Sequence, residues 1–111
     1  MDAQLRRSYE FFRREAGYVV GQKAMGALQL AKAERDVFEL YGWTWQTRPD
    51  YGADLSWMDE DERKQDHECC GVVLVDPDGK PRFEHALWGI VDSTDNYLRV
   101  CAAELALEVT H

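Results

Sequence analysis

The chain has 111 residues and a formal charge of −8, from 13 Lys and Arg against 21 Asp and Glu, a length that fits one compact domain and leaves no room for a two-domain enzyme. A hydrophobic content of 45% with four Trp argues against intrinsic disorder, and apolar runs of only a few residues argue against a membrane span. Met1 to Arg7 is polar and basic with no apolar stretch behind it, so no secretory signal and a cytoplasmic location are expected.

From Ala3 to Ala16, Leu5, Tyr9, Phe12 and Ala16 fall at helical spacing, while Arg6, Arg7, Arg13 and Arg14 lie mostly off that stripe. This predicts an amphipathic helix stopped by Gly17. A second helix is predicted from about Val19 to Tyr41, with Val20, Ala24, Ala27, Ala31 and Phe38 along one side, Leu28 nearby and Gly42 as its stop. Small residues at Gly21, Ala24, Ala27 and Ala31 would let it pack closely against another element.

Trp43 to Arg48 alternates large apolar with polar residues and reads as a short half-buried strand ended by Pro49, with Trp43 and Trp45 on one face as core. Cys70 to Asp76 is a near-continuous apolar run followed by Pro77, Asp78, Gly79 and Lys80. That is a hairpin signal, because Pro presets one turn dihedral and Gly supplies a positive φ. The return strand, Arg82 to Val91, carries Phe83, His85, Leu87 and Val91 on one parity and Ala86, Trp88 and Ile90 on the other. Ser93, Thr94 and Asp95 then offer N-caps to a helix running through Val109, its period marked by Tyr97, Val100, Cys101, Leu105 and Glu108. The order predicts an α+β fold in a single domain, residues 1–111. Two N-terminal helices precede a three-stranded antiparallel sheet and a C-terminal helix (ααβββα), with the helices mainly on one face.

The charge is unevenly placed. Residues 1–48 hold six acids and eight bases, residues 50–68 eight acids and two bases, and residues 69–111 seven acids and three bases. The middle segment, at −6, begins after Pro49 and is expected to form a loop and then a short helix near 57–65, with Ser56 as N-cap. On that helix Asp59, Glu62 and Asp66 share a face. One reading is a solvated loop that maintains solubility. The other is a carboxylate array complementary to a Lys/Arg groove, with Asp54, Asp59, Glu60, Asp61, Glu62 and Asp66 as its charges and Trp57 and Met58 as apolar anchors. The same acidic balance argues against direct nucleic-acid binding, because phosphate is held mainly by Lys and Arg.

No constellation for catalysis emerges. The chain has no Gly-rich phosphate loop, no GxSxG, no HExxH and no EF-hand pattern. His67, Cys69, Cys70 and His85 have the donor chemistry for zinc. Adjacent Cys69 and Cys70 on a strand would nevertheless point to opposite faces, and an odd total of three cysteines suggests neither a disulfide framework nor a CxxC pair. No metal, no cofactor and no enzymatic activity are therefore expected. Arg6, Arg7, Arg13 and Arg14 form a basic face that could meet the acidic segment of a second copy, giving a homodimer.

The segments Asp54 to Asp59, Leu87 to Asp92, Tyr97 to Val100 and Ala103 to Ala106, in that order, resemble those of short phage-borne and prophage-borne proteins of unassigned activity, among which anti-CRISPR inhibitors are found. The resemblance spans most of the chain from about Tyr9 onward and brings no catalytic residue with it. It implies a small phage-type protein at work in a bacterial cytosol. With the acidic segment, the expectation is an inhibitor that binds a host CRISPR–Cas effector or another nucleic-acid-handling complex through that complex's basic groove. The alternative is a phage structural or assembly protein acting as a homo-oligomer.

Overall fold

A computed structural model of the chain describes residues 2–15, 22–50, 69–91 and 94–110. Its elements are α1 (Ala3–Glu15), α2 (Gln22–Arg35) continued by a π-helical turn (Asp36–Leu40), β1 (Thr44–Pro49), β2 (Cys70–Val75), β3 (Pro81–Ile90) and α3 (Asp95–Thr110). The fold is α+β, in the order α α β β β α, with a three-stranded antiparallel sheet ordered β1-β2-β3.

Helix α1 starts where Asp2 caps it: the Leu5 amide donates to Asp2 Oδ1 at 2.7 Å, an N-cap that the stripe alone did not mark. Leu5 and Phe12 are buried as expected and Tyr9 is half-buried, while Arg6, Arg7, Arg13 and Arg14 are exposed. In α2 the small residues Ala27 and Ala31 are fully buried against α1 and α3, which allows the backbones to approach closely. The stripe is closed by Val37, at 0% exposure, whereas Phe38 is only half-buried. Here the helix widens: the Tyr41 amide donates to Asp36 O at 2.8 Å, five residues back. Gly42 ends it at φ +82°, and the next amide, of Trp43, returns to Val37 O at 3.0 Å. This is a left-handed glycine stop with a loop one residue wider than the usual one.

Strand β2 is central, and Gly71, Val72, Val73 and Leu74 are all buried. Val72 and Leu74 face α3 together with Ile90, Leu98, Cys101, Ala102 and Leu105, and Trp43, Trp45, Phe38 and Leu87 pack around them. The β2–β3 hairpin closes with the Gly79 amide donating to Asp76 O and the Asp76 amide to Lys80 O, both at 2.9 Å, and with Gly79 at φ +85°. Asp76 stiffens the turn. Its Oδ1 accepts from the Asp78 and Lys80 amides at 3.0 and 2.9 Å, and Arg82 lies 3.4 Å from Oδ2. These donors, the Lys80 amide foremost, hold the Asp76 carboxyl below the usual carboxylate range.

Strand β3 departs from simple alternation. Val72 pairs with Leu87 but Cys70 with Ile90, so an extra residue is accommodated at Gly89, whose φ of +74° is left-handed. The bulge brings both Leu87 and Ile90 to the helix side and leaves Trp88 on the other face, 47% exposed. There Trp88 lies on the backbone of Gly71. A Cβ built on Gly71 would overlap the ring at Cε3 and stand 2.6 Å from Cζ3 and 2.9 Å from Cδ2.

Helix α3 is buried over a broad arc because it has neighbours on two sides. Leu98, Cys101, Ala102 and Leu105 face the sheet, while Ala103 and Ala106 join α1 and α2. The expected period is corrected accordingly. Tyr97 is 46% exposed, the buried position next to it is Leu98, and Glu108 is exposed. A partly buried network ties the three helices: Arg99 Nε and Nη2 each donate to Glu34 at 2.7 Å, Nη2 reaches Ser8 Oγ at 3.1 Å, and Ser8 Oγ donates to Glu34 Oε1 at 2.8 Å. The guanidinium carbon also stands 4.0 Å from the Phe11 ring centre.

Candidate functional site

Two features could carry function, and they leave from opposite ends of β1. The first is the acidic segment. Its proposed binding residues, Asp54, Trp57, Met58, Asp59, Glu60, Asp61, Glu62 and Asp66, lie outside the described residues, as do His67 and the helix expected near 57–65.

The roots of that segment are well defined. Pro49 pairs with Cys70 across the sheet, and the Asp50 amide donates to Cys69 O at 2.9 Å. The two chain ends therefore leave neighbouring antiparallel strands as partners. A two-residue hairpin would suffice to connect them, yet residues 51–68 intervene. Asp50 also reaches past β2 to β3: its Oδ2 accepts the amide of the bulge residue Gly89 at 2.8 Å. The end of the sheet from which the acidic segment leaves is thus held by a ladder bond on one side and a carboxylate on a bulge amide on the other.

The second feature is a cleft of about 580 Å³ at the start of β1, between the π-helical turn, β1 and the first turn of α3. Sequence reasoning placed Trp43 and Trp45 in the core and did not foresee it. Phe38, Trp43 and Trp45 supply aromatic walls, and Glu34, Glu39, Asp95 and Arg99 supply the charges. Arg99 is engaged by Glu34, and this contact raises the guanidinium pKa. Glu39 accepts a hydrogen bond from Gln4 Nε2. Asp95, in the first turn of α3, is exposed. The π-helical turn is what places Glu39 and Phe38 at this rim. The one sequence signal for the cleft was the pair of tryptophans two residues apart directly after a glycine stop.

A smaller cavity of about 410 Å³ lies between β3 and α3, lined by Leu87, Ile90, Tyr97, Cys101 and Glu104 among others. Burial pushes the thiols of Cys101 and Cys70 up, away from thiolate chemistry. His85 sits edge-on to Trp43, with ring centres 6.1 Å apart, and its Nδ1 is 3.1 Å from Glu108 Oε2. Among the described residues no three His, Cys, Asp or Glu side chains are grouped to hold a metal ion, and no helix is long and apolar enough to cross a membrane. Comparison of the chain with protein-family models, with curated proteins and with solved structures finds no match in any of the three.

Proposed function

We propose that this protein is a non-enzymatic, anti-CRISPR-like inhibitor that binds a host CRISPR–Cas effector, or another nucleic-acid-handling complex, and blocks its basic groove with the acidic segment. The observation that supports this reading most is topological. Strands β1 and β2 are direct antiparallel partners with defined roots at Pro49 and Cys70, so residues 51–68 are not needed for connectivity. Insertions of this length in a compact domain are uncommon and usually functional or linker-like. This one concentrates seven acids against two bases and adds Trp57 and Met58. In the proposed complex Asp54, Asp59, Glu60, Asp61, Glu62 and Asp66 compete with phosphate for Lys and Arg, and Trp57 and Met58 provide desolvated contacts.

The test is affinity capture from a bacterial host lysate with the wild-type chain and with the Asp59→Asn, Asp61→Asn, Glu62→Gln variant, at low and high salt. A nucleic-acid-handling complex retained by the wild type, released by salt and lost with the variant supports the proposal. Equal retention by both chains refutes it.

The exposed arginines of α1 favour a second reading, in which copies of the chain associate through that basic face and the acidic segment of a neighbour. Sedimentation separates the two readings. A stable homo-oligomer that dissociates in the same triple variant supports assembly, and a monomer supports the inhibitor.

A further inference from the structure

We propose that the cleft between the π-helical turn, β1 and α3 binds a small organic cation, an alkyl-substituted ammonium group, independently of the acidic segment. Three properties of the cleft point to that class. Its volume of about 580 Å³ lies within the range of small-molecule sites. Its walls carry Phe38, Trp43 and Trp45, and the faces of such rings attract a cation while their carbon surface accommodates its alkyl groups. Its charges are unbalanced: Glu34, Glu39 and Asp95 stand against Arg99 alone, and both guanidinium hydrogen bonds from Arg99 to a carboxylate go to Glu34. The lining therefore keeps two negative charges at its rim, on Glu39 and Asp95. An anionic ligand would meet both of them with no guanidinium free of Glu34 to receive it. A neutral apolar ligand would use the aromatic walls but leave the carboxylates unmatched.

The walls are also fixed by the fold. Trp43 is anchored by its amide on Val37 O at 3.0 Å, and Trp45 sits opposite Leu74 in the sheet register. The Glu34–Arg99–Ser8 network holds the back of the cleft across α1, α2 and α3. A ligand thus meets a site that is already formed, which reduces the ordering cost of binding.

The experiment uses the full chain labelled with ¹⁵N, titrated with choline chloride and separately with 3,3-dimethyl-1-butanol, its uncharged isostere, and followed through the indole N–H signals. Choline is expected to give saturable shifts at Trp43 and Trp45 and none at Trp88, with the isostere binding at least about threefold more weakly, as loss of the cation–π and charge terms implies. Asp95→Asn and Glu39→Gln, both at exposed positions, should each weaken choline by about two- to fivefold with circular dichroism unchanged. Trp45→Leu should weaken it by a similar factor. If that variant fails to fold, the two carboxylate variants still decide. Equal binding of choline and its isostere, shifts that rise linearly at every indole, or no effect of either carboxylate variant would overturn the proposal. The Asp59→Asn, Asp61→Asn, Glu62→Gln variant should bind choline as the wild type does, so failure here and failure of the inhibitor reading are separate results.

Discussion

Replacing Gly71 by Ala tests how the outer face of the sheet is built. The added Cβ would overlap the six-membered ring of Trp88 at Cε3 and crowd Cζ3 and Cδ2, so the ring must leave the strand. Trp88 is 47% exposed, and a Trp side chain of roughly 250 Å² therefore covers on the order of 130 Å² here. At about 25 cal/mol per Å² that contact is worth up to about 3 kcal/mol, an upper bound because unfolded chains already bury some surface. Swinging the ring out loses part of it, and we expect Gly71→Ala to cost about 2 kcal/mol, or roughly 10 °C in Tm for a domain of this size. In a Trp88→Ala background the obstruction is gone. The same substitution should then be neutral or stabilise by about 0.5 kcal/mol, since Ala restricts the unfolded chain more than Gly does. Urea unfolding of the four proteins in this cycle gives a coupling energy of about 2 kcal/mol if the ring lies on Gly71. Additive costs, with Gly71→Ala equally harmful in both backgrounds, would refute the contact.

Other consequences follow from the network, the hairpin and the thiols. Arg99→Met leaves Glu34, whose side chain is 17% exposed, without its guanidinium and should cost about 2 kcal/mol in chemical denaturation. Combining it with Glu34→Gln should cost less than the sum of the two. Because the Lys80 amide, Arg82 and the Asp78 amide depress the Asp76 carboxyl, its stabilising contribution is complete above about 3.9, the unfolded-state value, and is lost as pH falls through the lower folded-state value. Thermal melts from pH 6 downward should therefore show a loss in the acid range that is reduced in Asp76→Asn, and parallel curves for the two proteins would contradict this. Cys101, 4% exposed with its thiol pushed up by burial, should be alkylated by iodoacetamide only as fast as the domain opens, accelerating with denaturant when followed by mass spectrometry. Labelling at the rate of a free thiol would place it outside the core.

How much of this was legible in the sequence depends on how local each cause is. The Pro77–Lys80 hairpin was readable because the turn chemistry of Asp76, Asp78 and Gly79 lies within five residues. The amphipathic stripe of α1 and the glycine stop at Gly42 were readable for the same reason. The expected period of α3 departs from the structure at Tyr97, because a helix covered by the sheet on one side and by α1 and α2 on the other has no single stripe to find. The bulge at Gly89 is a one-residue insertion whose partner, Asp50, comes just after a different strand, and the π-helical turn is a one-residue widening, closed by the Tyr41 amide on Asp36 O, that leaves the apolar spacing of the helix unmarked. The cleft needed three elements to meet, and only its tryptophans announced themselves. The acidic segment was visible as composition, and the structure adds where it is rooted: two paired strands that did not require it.

The most direct test of the inhibitor account is competition with nucleic acid. Purified CRISPR–Cas effector complexes, each loaded with guide RNA, are incubated with the chain, and target-DNA binding is followed by gel shift over a range of salt concentrations. The account predicts that at least one effector loses its DNA, that the loss weakens as salt rises, and that the Asp59→Asn, Asp61→Asn, Glu62→Gln variant displaces DNA about 3- to 150-fold less well, for three charge pairs at about 0.2–1 kcal/mol each. Displacement by the variant at wild-type concentrations, or DNA retained by every effector, would contradict it.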